Sequence, residues 1–142
     1  MKETKVVLKG IILREGRILT VRRSFQDKIG AGSWEVVGGK LEFGESVLET
    51  LSREVKEETN LEINIERPLY AKNVVIDEEL QMLVVVYLCK YKKGEVMLSE
   101  EHIAYRWVDE EGLKNLLSPE IKKDFEDNNV FNILMKERLK ML

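Results

Sequence analysis

The sequence predicts a mixed α/β fold in which strands fill the middle of the chain and helices interrupt or follow them. The strand segments are rich in β-branched and aliphatic residues and are bounded by turn-forming residues such as Glu15-Gly16 and Lys93-Gly94. One helical pattern, Ser46–Thr59, lies among the strands, and further helices close the chain. Because strands and helices do not alternate regularly, a doubly wound parallel sheet is not expected.

Six segments are predicted to be strands, and a polar loop with two glycines at 24–33 separates the second from the third. An acidic turn at Asp77–Glu79 joins the two longest segments, which predicts a hairpin. The predicted strands are Lys5–Leu13, Arg17–Arg23, Trp34–Val37, Ile63–Ile76, Leu80–Tyr91 and Ile103–Val108.

The embedded helix has the clearest boundary signals. Ser46 is expected to cap its start, with Glu49 three residues later completing a capping box. Leu48, Leu51 and Val55 are expected to share the apolar face that packs on the sheet. After the last strand, Asp109 is expected to cap a short helix at 110–117, and Pro119 opens a helix to about residue 139, interrupted near 128–129.

Length and composition set the broad class. A chain of 142 residues suits one domain, here residues 1–142. The single cysteine, Cys89, cannot form an internal disulfide and is typical of a reducing cytoplasm, where we expect the protein to act. The first ten residues hold no long apolar run, so no signal peptide is expected. The longest apolar stretch, Met82–Val86, is too short to span a bilayer, and no membrane partner is expected.

The net charge of -3, from 26 acids and 23 bases, argues weakly against binding to duplex nucleic acid, which selects a basic face. A net-negative protein that acts on a polyanion needs local cations, either metals or placed Lys and Arg side chains. The sequence leaves a homodimer open.

The candidate chemistry lies on the embedded helix. Glu54, Glu57 and Glu58 stand at positions i, i+3 and i+4, which share one helix face. Neighbouring carboxylates repel one another, and a hard cation such as Mg²⁺, with Mn²⁺ as a substitute, would reverse that repulsion because it binds oxygen ligands. The alternative is a solvated helix face. Gly38-Gly39 just before the helix, and an Arg53 that can pair with Glu49 or Glu45, favour a site.

These residues resemble the Nudix box, usually written GX5EX7REUXEEXGU with U aliphatic. In this chain it runs from Gly39 through Glu45 and Arg53-Glu54 to Leu61, covering about a sixth of the sequence. Every specified position matches except one, where Asn60 replaces glycine. The segment that leads into the box, SWEVVGGKLEFGES, is also similar to the family pattern, with Val37 in place of a common proline. Farther along the chain, Arg106-Trp107-Val108 resembles a strand that often follows the box in this family.

The resemblance implies an α/β/α sandwich around a mixed sheet, with the box forming a loop-helix-loop. It also implies hydrolysis of a nucleoside diphosphate linked to another group. By this resemblance Glu54, Glu57 and Glu58 are metal ligands and catalytic groups, and the Gly38 carbonyl is a further ligand. Glu45, Arg53 and Gly39 would hold the loop and orient the ligands.

Other candidates rest on local sequence. Glu101 is preferred over Glu100 as a fourth carboxylate and general base, because it lies closer to the strand that follows. Arg22 and Arg23 end the second strand, where the MutT-like branch has a similar pair near its substrate, and they are candidates for phosphate contact together with Lys40. The lone histidine, His102, is interpreted as a surface or packing residue, and Cys89 as a small core residue.

The function expected from these residues is a small MutT-like enzyme, a nucleoside triphosphate pyrophosphohydrolase that uses Mg²⁺. The box leaves the substrate open, so ADP-ribose, a dinucleoside polyphosphate and a nucleotide sugar are alternative substrates. An alternative of another class is a non-catalytic nucleotide sensor with a Nudix fold. Such sensors usually lose box glutamates, and this chain keeps all of them.

Overall fold

Seven strands and four helices make up the computed structural model, which describes all residues from 1 to 142. The strands are β1 (Glu3–Arg14), β2 (Arg17–Arg23), β3 (Trp34–Glu35), β4 (Val37–Lys40), β5 (Glu62–Val75), β6 (Leu80–Lys93) and β7 (His102–Val108). The helices are α1 (Val47–Thr59), α2 (Glu110–Leu116), α3 (Pro119–Asp127) and α4 (Val130–Leu139).

All seven strands belong to one mixed sheet with the order β3-β2-β1-β6-β5. The central strand, β1, pairs in parallel with β6 and antiparallel with β2 and β4. Strand β2 also pairs with β7, along the edge that does not face β1. Strands β5 and β6 form the long hairpin predicted from the acidic turn. The mixed sheet expected from the sequence is therefore confirmed.

Helices cover both faces of the sheet, and the side-chain alternation of β1 shows how. Leu8 and Ile12 face one way, into a core shared with Leu51 and Val55 of α1. Ile11 and Leu13 face the other way, into a core shared with α2, α3 and α4. The predicted α/β/α sandwich is confirmed, and β1 is the strand that both layers pack against.

The structure corrects two details of the expected elements. The segment predicted as a single strand, Trp34–Val37, is two short strands, because β3 pairs with β2 whereas β4 pairs with β1. Leu48 was expected on the packed face of the helix and is instead 52% exposed. Burial along α1 begins at Thr50, so the first turn lies ahead of the part that meets the sheet. The interruption predicted near 128–129 is confirmed as the break between α3 and α4.

The ends of α1 form as the sequence predicts. The Ser46 hydroxyl accepts a hydrogen bond from the Glu49 amide at 3.1 Å, and the Glu49 carboxylate accepts one from the Ser46 amide at 3.2 Å. At the other end Asn60 has a φ of 67°, in the left-handed region. Asparagine tolerates this region better than other residues with a side chain, which explains how it replaces the glycine of the box.

We expect the backbone at Asn60 to decide which substitutions it accepts. Asn60→Gly should change stability little, since glycine adopts the left-handed region freely. Asn60→Val should lower the free energy of unfolding by roughly 1–2 kcal/mol, because a β-branched residue is strained there. Urea denaturation of both variants measures the difference, and a valine variant as stable as the parent would show that the residue is not held in that conformation.

Candidate active site

A cleft opens where β1 and β4 meet α1 and the loop before β7. Carboxylates and cations line one part of it, and apolar side chains from β6 line another. The lining residues are Val7, Lys9, Arg23, Ile29, Glu35, Gly38, Gly39, Lys40, Glu42, Glu54, Glu58, Ile76, Met82, Val84 and Glu101. Seven of the residues singled out from the sequence lie in this set, namely Glu54, Glu58, Glu101, Gly38, Gly39, Arg23 and Lys40.

Two glycines bring the β4 backbone against its neighbours. A Cβ atom added at Gly39 would clash with the carboxyl carbon of Glu54, and one added at Gly38 would clash with the Leu8 carbonyl oxygen. Neither contact is physically tolerable, so a side chain at either position would force the strand or the Glu54 carboxylate to move. The glycines therefore allow Glu54 to lie directly beside the strand backbone.

Glu58 is the most deeply buried carboxyl group in the cleft, with 5% of its surface exposed. Its Oε2 atom has no hydrogen-bond partner. Burial, together with the neighbouring carboxyl groups of Glu101 and Glu54, raises the pKa of Glu58 to about 9, although the charge of Lys9 opposes the shift. Burial also raises the pKa of Glu54. The cleft thus concentrates carboxyl groups that lack sufficient compensating charge.

This donor set fits a divalent metal ion that is shared with a substrate. Mg²⁺ is usually held by one or two carboxylates and completes its shell with water and substrate phosphates. Glu58, with its unpartnered buried oxygen, and Glu54 supply two such carboxylates. No group of three or more acidic, His or Cys side chains is close enough to hold a metal alone.

The three glutamates expected to bind a metal, Glu54, Glu57 and Glu58, do not meet at one point, because the Glu57 side chain binds Arg53. Its carboxylate accepts hydrogen bonds from the Arg53 guanidinium at 3.2 and 3.3 Å, and its side chain is 58% exposed. The helix nevertheless places it one turn from Glu54 and directly before Glu58. A rotation about its side-chain bonds would be needed to turn it into the cleft.

Arg53 ties the loop before α1 to the helix. Its Nε and Nη2 atoms donate to the two carboxylate oxygens of Glu45, each at 2.9 Å, and Nη1 donates to Glu54 at 3.1 Å. The hydrogen bond from Arg53 lowers the pKa of Glu45. Of the two partners considered for Arg53, the structure therefore shows Glu45, since Glu49 is used in the helix cap. The arginine also orients the Glu54 carboxylate.

Cations also line the cleft, and the structure corrects one of the residues expected among them. Arg23 and Lys40 lie in the cleft, and Lys9, which was not singled out from the sequence, joins them. Arg22 does not line it. Its Nε donates to the Gly32 carbonyl at 2.9 Å, and its guanidinium stacks over the Phe25 ring at 4.8 Å. Successive strand residues point to opposite faces, so only one arginine of the pair can face the cleft.

Glu35 gathers three side chains that sequence reasoning did not connect. Its carboxylate is contacted by Lys9 at 3.1 Å, by Arg23 at 3.1 Å and by the Nε2 atom of His102 at 2.9 Å. Burial alone would raise the pKa of Glu35, but Lys9, the hydrogen bond from His102 and Arg23 together lower it to about 2. The available signal was the presence of charged residues within the apolar strands at positions 9 and 35.

Because the pKa of Glu35 is lowered, the free energy of unfolding should depend on pH in the acidic range. A carboxylate whose pKa is lower in the folded state, about 2 against 4.5, stabilises the fold above pH 4.5 and loses this contribution as the pH falls toward 2. Glu35→Gln should lower the free energy of unfolding at pH 7 by roughly 1–3 kcal/mol. Denaturant titrations between neutral pH and pH 2.5 should show this difference shrinking; a constant difference would contradict the assignment.

Comparison with known proteins matches this architecture to one family. The sequence model of the NUDIX domain matches residues 4–128. A MutT-like protein of Streptomyces ambofaciens is 31% identical over 104 residues, which cover 72% of this chain and 62% of that protein, less than two thirds of its length. The nucleoside triphosphatase NudI of Escherichia coli is 26% identical over 121 residues, which cover 77% of this chain and 84% of the NudI chain.

Solved structures agree with the sequence comparison. The crystal structure of a MutT protein from Methanosarcina mazei superposes with a TM-score of 0.80 at 30% identity, covering 92% of this chain and 96% of that one. None of the four helices has the length and apolar character that a membrane crossing requires. The chain therefore belongs to the NUDIX domain family and is a Nudix hydrolase of the MutT and NudI type.

Proposed function

We propose that this protein hydrolyses a phosphoanhydride bond of a nucleoside triphosphate or a related nucleotide, with Mg²⁺ held by the carboxylates of the cleft. The observation that carries the proposal is the junction of two different surfaces. A wall of carboxylates and cations, which suits a metal-bound polyphosphate, adjoins an apolar pocket that suits a nucleobase.

The apolar pocket lies between the sheet and α3. It shares five residues with the cleft, namely Lys9, Glu35, Ile76, Met82 and Val84. Tyr70, Ile121 and Phe125 add apolar and aromatic surface deeper in the pocket. Flat aromatic rings bind such surfaces well, because burial of the ring removes apolar area from water. One molecule with a base and a polyphosphate would span both regions.

Each charged residue has a role in this proposal. Glu58 and Glu54 would hold the metal, with the Gly38 carbonyl as a further ligand and Glu57 joining after it turns from Arg53. Bound Mg²⁺ neutralises phosphate charge and lowers the pKa of a water molecule. Lys9, Arg23 and Lys40 would contact the phosphate oxygens. Glu101 would accept a proton from the attacking water as general base.

The names of the relatives support a nucleoside triphosphate. NudI of Escherichia coli is called a nucleoside triphosphatase, and it is matched over most of both chains. ADP-ribose, dinucleoside polyphosphates and nucleotide sugars are the alternatives, since each also carries a base and a diphosphate. A non-catalytic sensor is disfavoured because Glu54, Glu57 and Glu58 are all present.

The proposal also concerns the working form of the enzyme. We propose that residues 1–142 act as one catalytic unit in the cytoplasm, since the lone Cys89 is buried and forms no disulfide. The sequence leaves a homodimer open, and light scattering on the purified chain measures the oligomeric state directly.

A panel of nucleotides tests the proposal. The purified chain is incubated with Mg²⁺ and separate samples of nucleoside triphosphates, ADP-ribose, a dinucleoside polyphosphate and a nucleotide sugar, and the products are identified by chromatography. We expect a nucleoside triphosphate to be cleaved with the highest kcat/KM, releasing either pyrophosphate or phosphate. Binding without cleavage of any compound would favour the sensor, and preference for another compound would name a different substrate.

A further inference from the structure

His102 has no role in the reaction proposed above, yet it is one of the few buried polar side chains, with 4% of the side chain exposed. Its Nε2 atom lies 2.9 Å from the Oε2 atom of Glu35. Its Nδ1 atom is buried without a hydrogen-bond partner. Since the ionised Glu35 carboxylate can only accept, Nε2 carries the proton and donates. A single hydrogen bond therefore fixes the orientation of the ring.

The position of His102 in the chain connects this bond to the cleft. His102 is the first residue of β7, and it directly follows Glu101. The pairing of β2 with β7 is irregular at this point, with a register shift between Arg22 and Arg23. The backbone of the loop before β7 is held by three hydrogen bonds to the backbone of other segments: the Met97 amide donates to the Thr59 carbonyl at 2.9 Å, the Ser99 amide to the Glu58 carbonyl at 3.1 Å, and the Ser24 amide to the Glu101 carbonyl at 3.3 Å. None of them involves a side chain of the loop, so the His102 ring supplies the buried side-chain contact at its end.

We propose that His102 is a positioning residue, and that its hydrogen bond to Glu35 anchors the start of β7 so that the Glu101 carboxylate stays beside Glu58. The inference rests on the proposed function, in which Glu101 is the general base. A buried polar tether suits this task because the strand pairing is irregular where the loop joins it. Loss of the tether would let Glu101 move away from the reacting atoms.

The geometry separates this role from phosphate binding. Without His102, Glu35 keeps its contacts with Lys9 at 3.1 Å and Arg23 at 3.1 Å, so these cations stay in place. Substrate binding should therefore change little. A displaced general base lowers kcat, because small displacements of a catalytic group reduce the rate strongly.

Two variants with side chains of similar length test the hydrogen bond. His102→Met removes the donor and should lower kcat by about tenfold while KM stays within about twofold. His102→Gln places an amide N–H where Nε2 lies and should recover most of the loss. Parental kcat in the methionine variant, or no recovery in the glutamine variant, would overturn the proposal. Leu134→Ala, at a buried core position that lines neither the cleft nor the apolar pocket, is the control for destabilisation and should keep parental kcat below its melting temperature.

A double-mutant cycle tests whether His102 acts through Glu101. Glu101→Gln alone should lower kcat by at least about tenfold. In that background His102→Met should cost less than about twofold more, since the group it positions is already absent. A full additional loss would show that His102 acts through Arg23 or Lys9 and would overturn the proposal. Glu100→Gln, on the same loop, should leave kcat unchanged.

Hydrogen exchange gives a readout that does not depend on activity. The amides of residues 99–102 should exchange faster in His102→Met than in the parent, and His102→Gln should slow them again. Unchanged exchange would overturn the inference even if the panel of nucleotides found no hydrolysis. Conversely, faster exchange in His102→Met, together with a parent chain that cleaves nothing, would leave the anchoring role standing and refute the proposed function alone.

Discussion

Removal of divalent metal is expected to abolish hydrolysis completely and reversibly. The cleft gathers Glu54, Glu58 and Glu101, and burial raises the pKa of Glu58 to about 9. Without a cation the neutral form of Glu58 is therefore favoured, and a divalent ion would be needed both to ionise Glu58 as a ligand and to offset the charge of the polyphosphate. Protein treated with EDTA should show only the background rate, and excess Mg²⁺ or Mn²⁺ should restore the parental rate.

The same experiment has an internal control. A metal ion that binds the folded chain raises the melting temperature as its concentration rises. The Mg²⁺ concentration that restores half of the activity should therefore fall in the range that shifts the melting temperature when a non-hydrolysable nucleotide is present. Full activity in thoroughly metal-stripped protein would contradict the role assigned to the carboxylates.

Glu58→Gln is expected to lower kcat by at least about a hundredfold, comparable to the loss of one strong electrostatic contact. The variant keeps the shape of the side chain but removes a buried carboxylate that has an unpartnered oxygen. The fold should survive, because glutamine resembles the neutral form of Glu58 that its raised pKa favours in the metal-free protein. In the absence of metal the variant should melt no lower than the parent, and Mg²⁺ should stabilise it much less.

The same substitution at two further glutamates provides a comparison for the kcat of Glu58→Gln. Glu57→Gln should also lower kcat by at least about a hundredfold if Glu57 leaves Arg53 to join the metal. Glu111→Gln, at an exposed position of α2, should leave kcat unchanged. If Glu58→Gln loses activity only in step with its melting temperature, the glutamate supports the fold and has no part in catalysis.

Local signals carried most of the sequence prediction. The capping box of α1 involves residues within one short segment, so spacing alone predicts it. The same spacing leaves Glu49 and Glu45 open as partners of Arg53, and the left-handed Asn60 is expected from the glycine position of the Nudix box. The positions of the strands along the chain and the break at 128–129 follow from similar short-range patterns. For the same reason the Nudix box could be recognised without knowledge of how the chain folds.

Features that depend on tertiary pairing could not be predicted in this way. Lys9, Glu35 and His102 lie on three different strands, and only the sheet brings them together. The break of the predicted strand into β3 and β4 depends on each half pairing with a different neighbour. Leu48 has the helical spacing of a core residue, but the structure leaves the first turn of α1 uncovered.

The central claim is that the carboxylates of the cleft hold the metal that cleavage requires. Anomalous diffraction from crystals grown with Mn²⁺ and a non-hydrolysable nucleotide tests it most directly, because manganese can be located independently of the protein density. We predict a peak in the cleft at about 2.0–2.2 Å from carboxylate oxygens of Glu54 and Glu58. A peak elsewhere, or none in the cleft of protein that is active with Mn²⁺, would contradict the account.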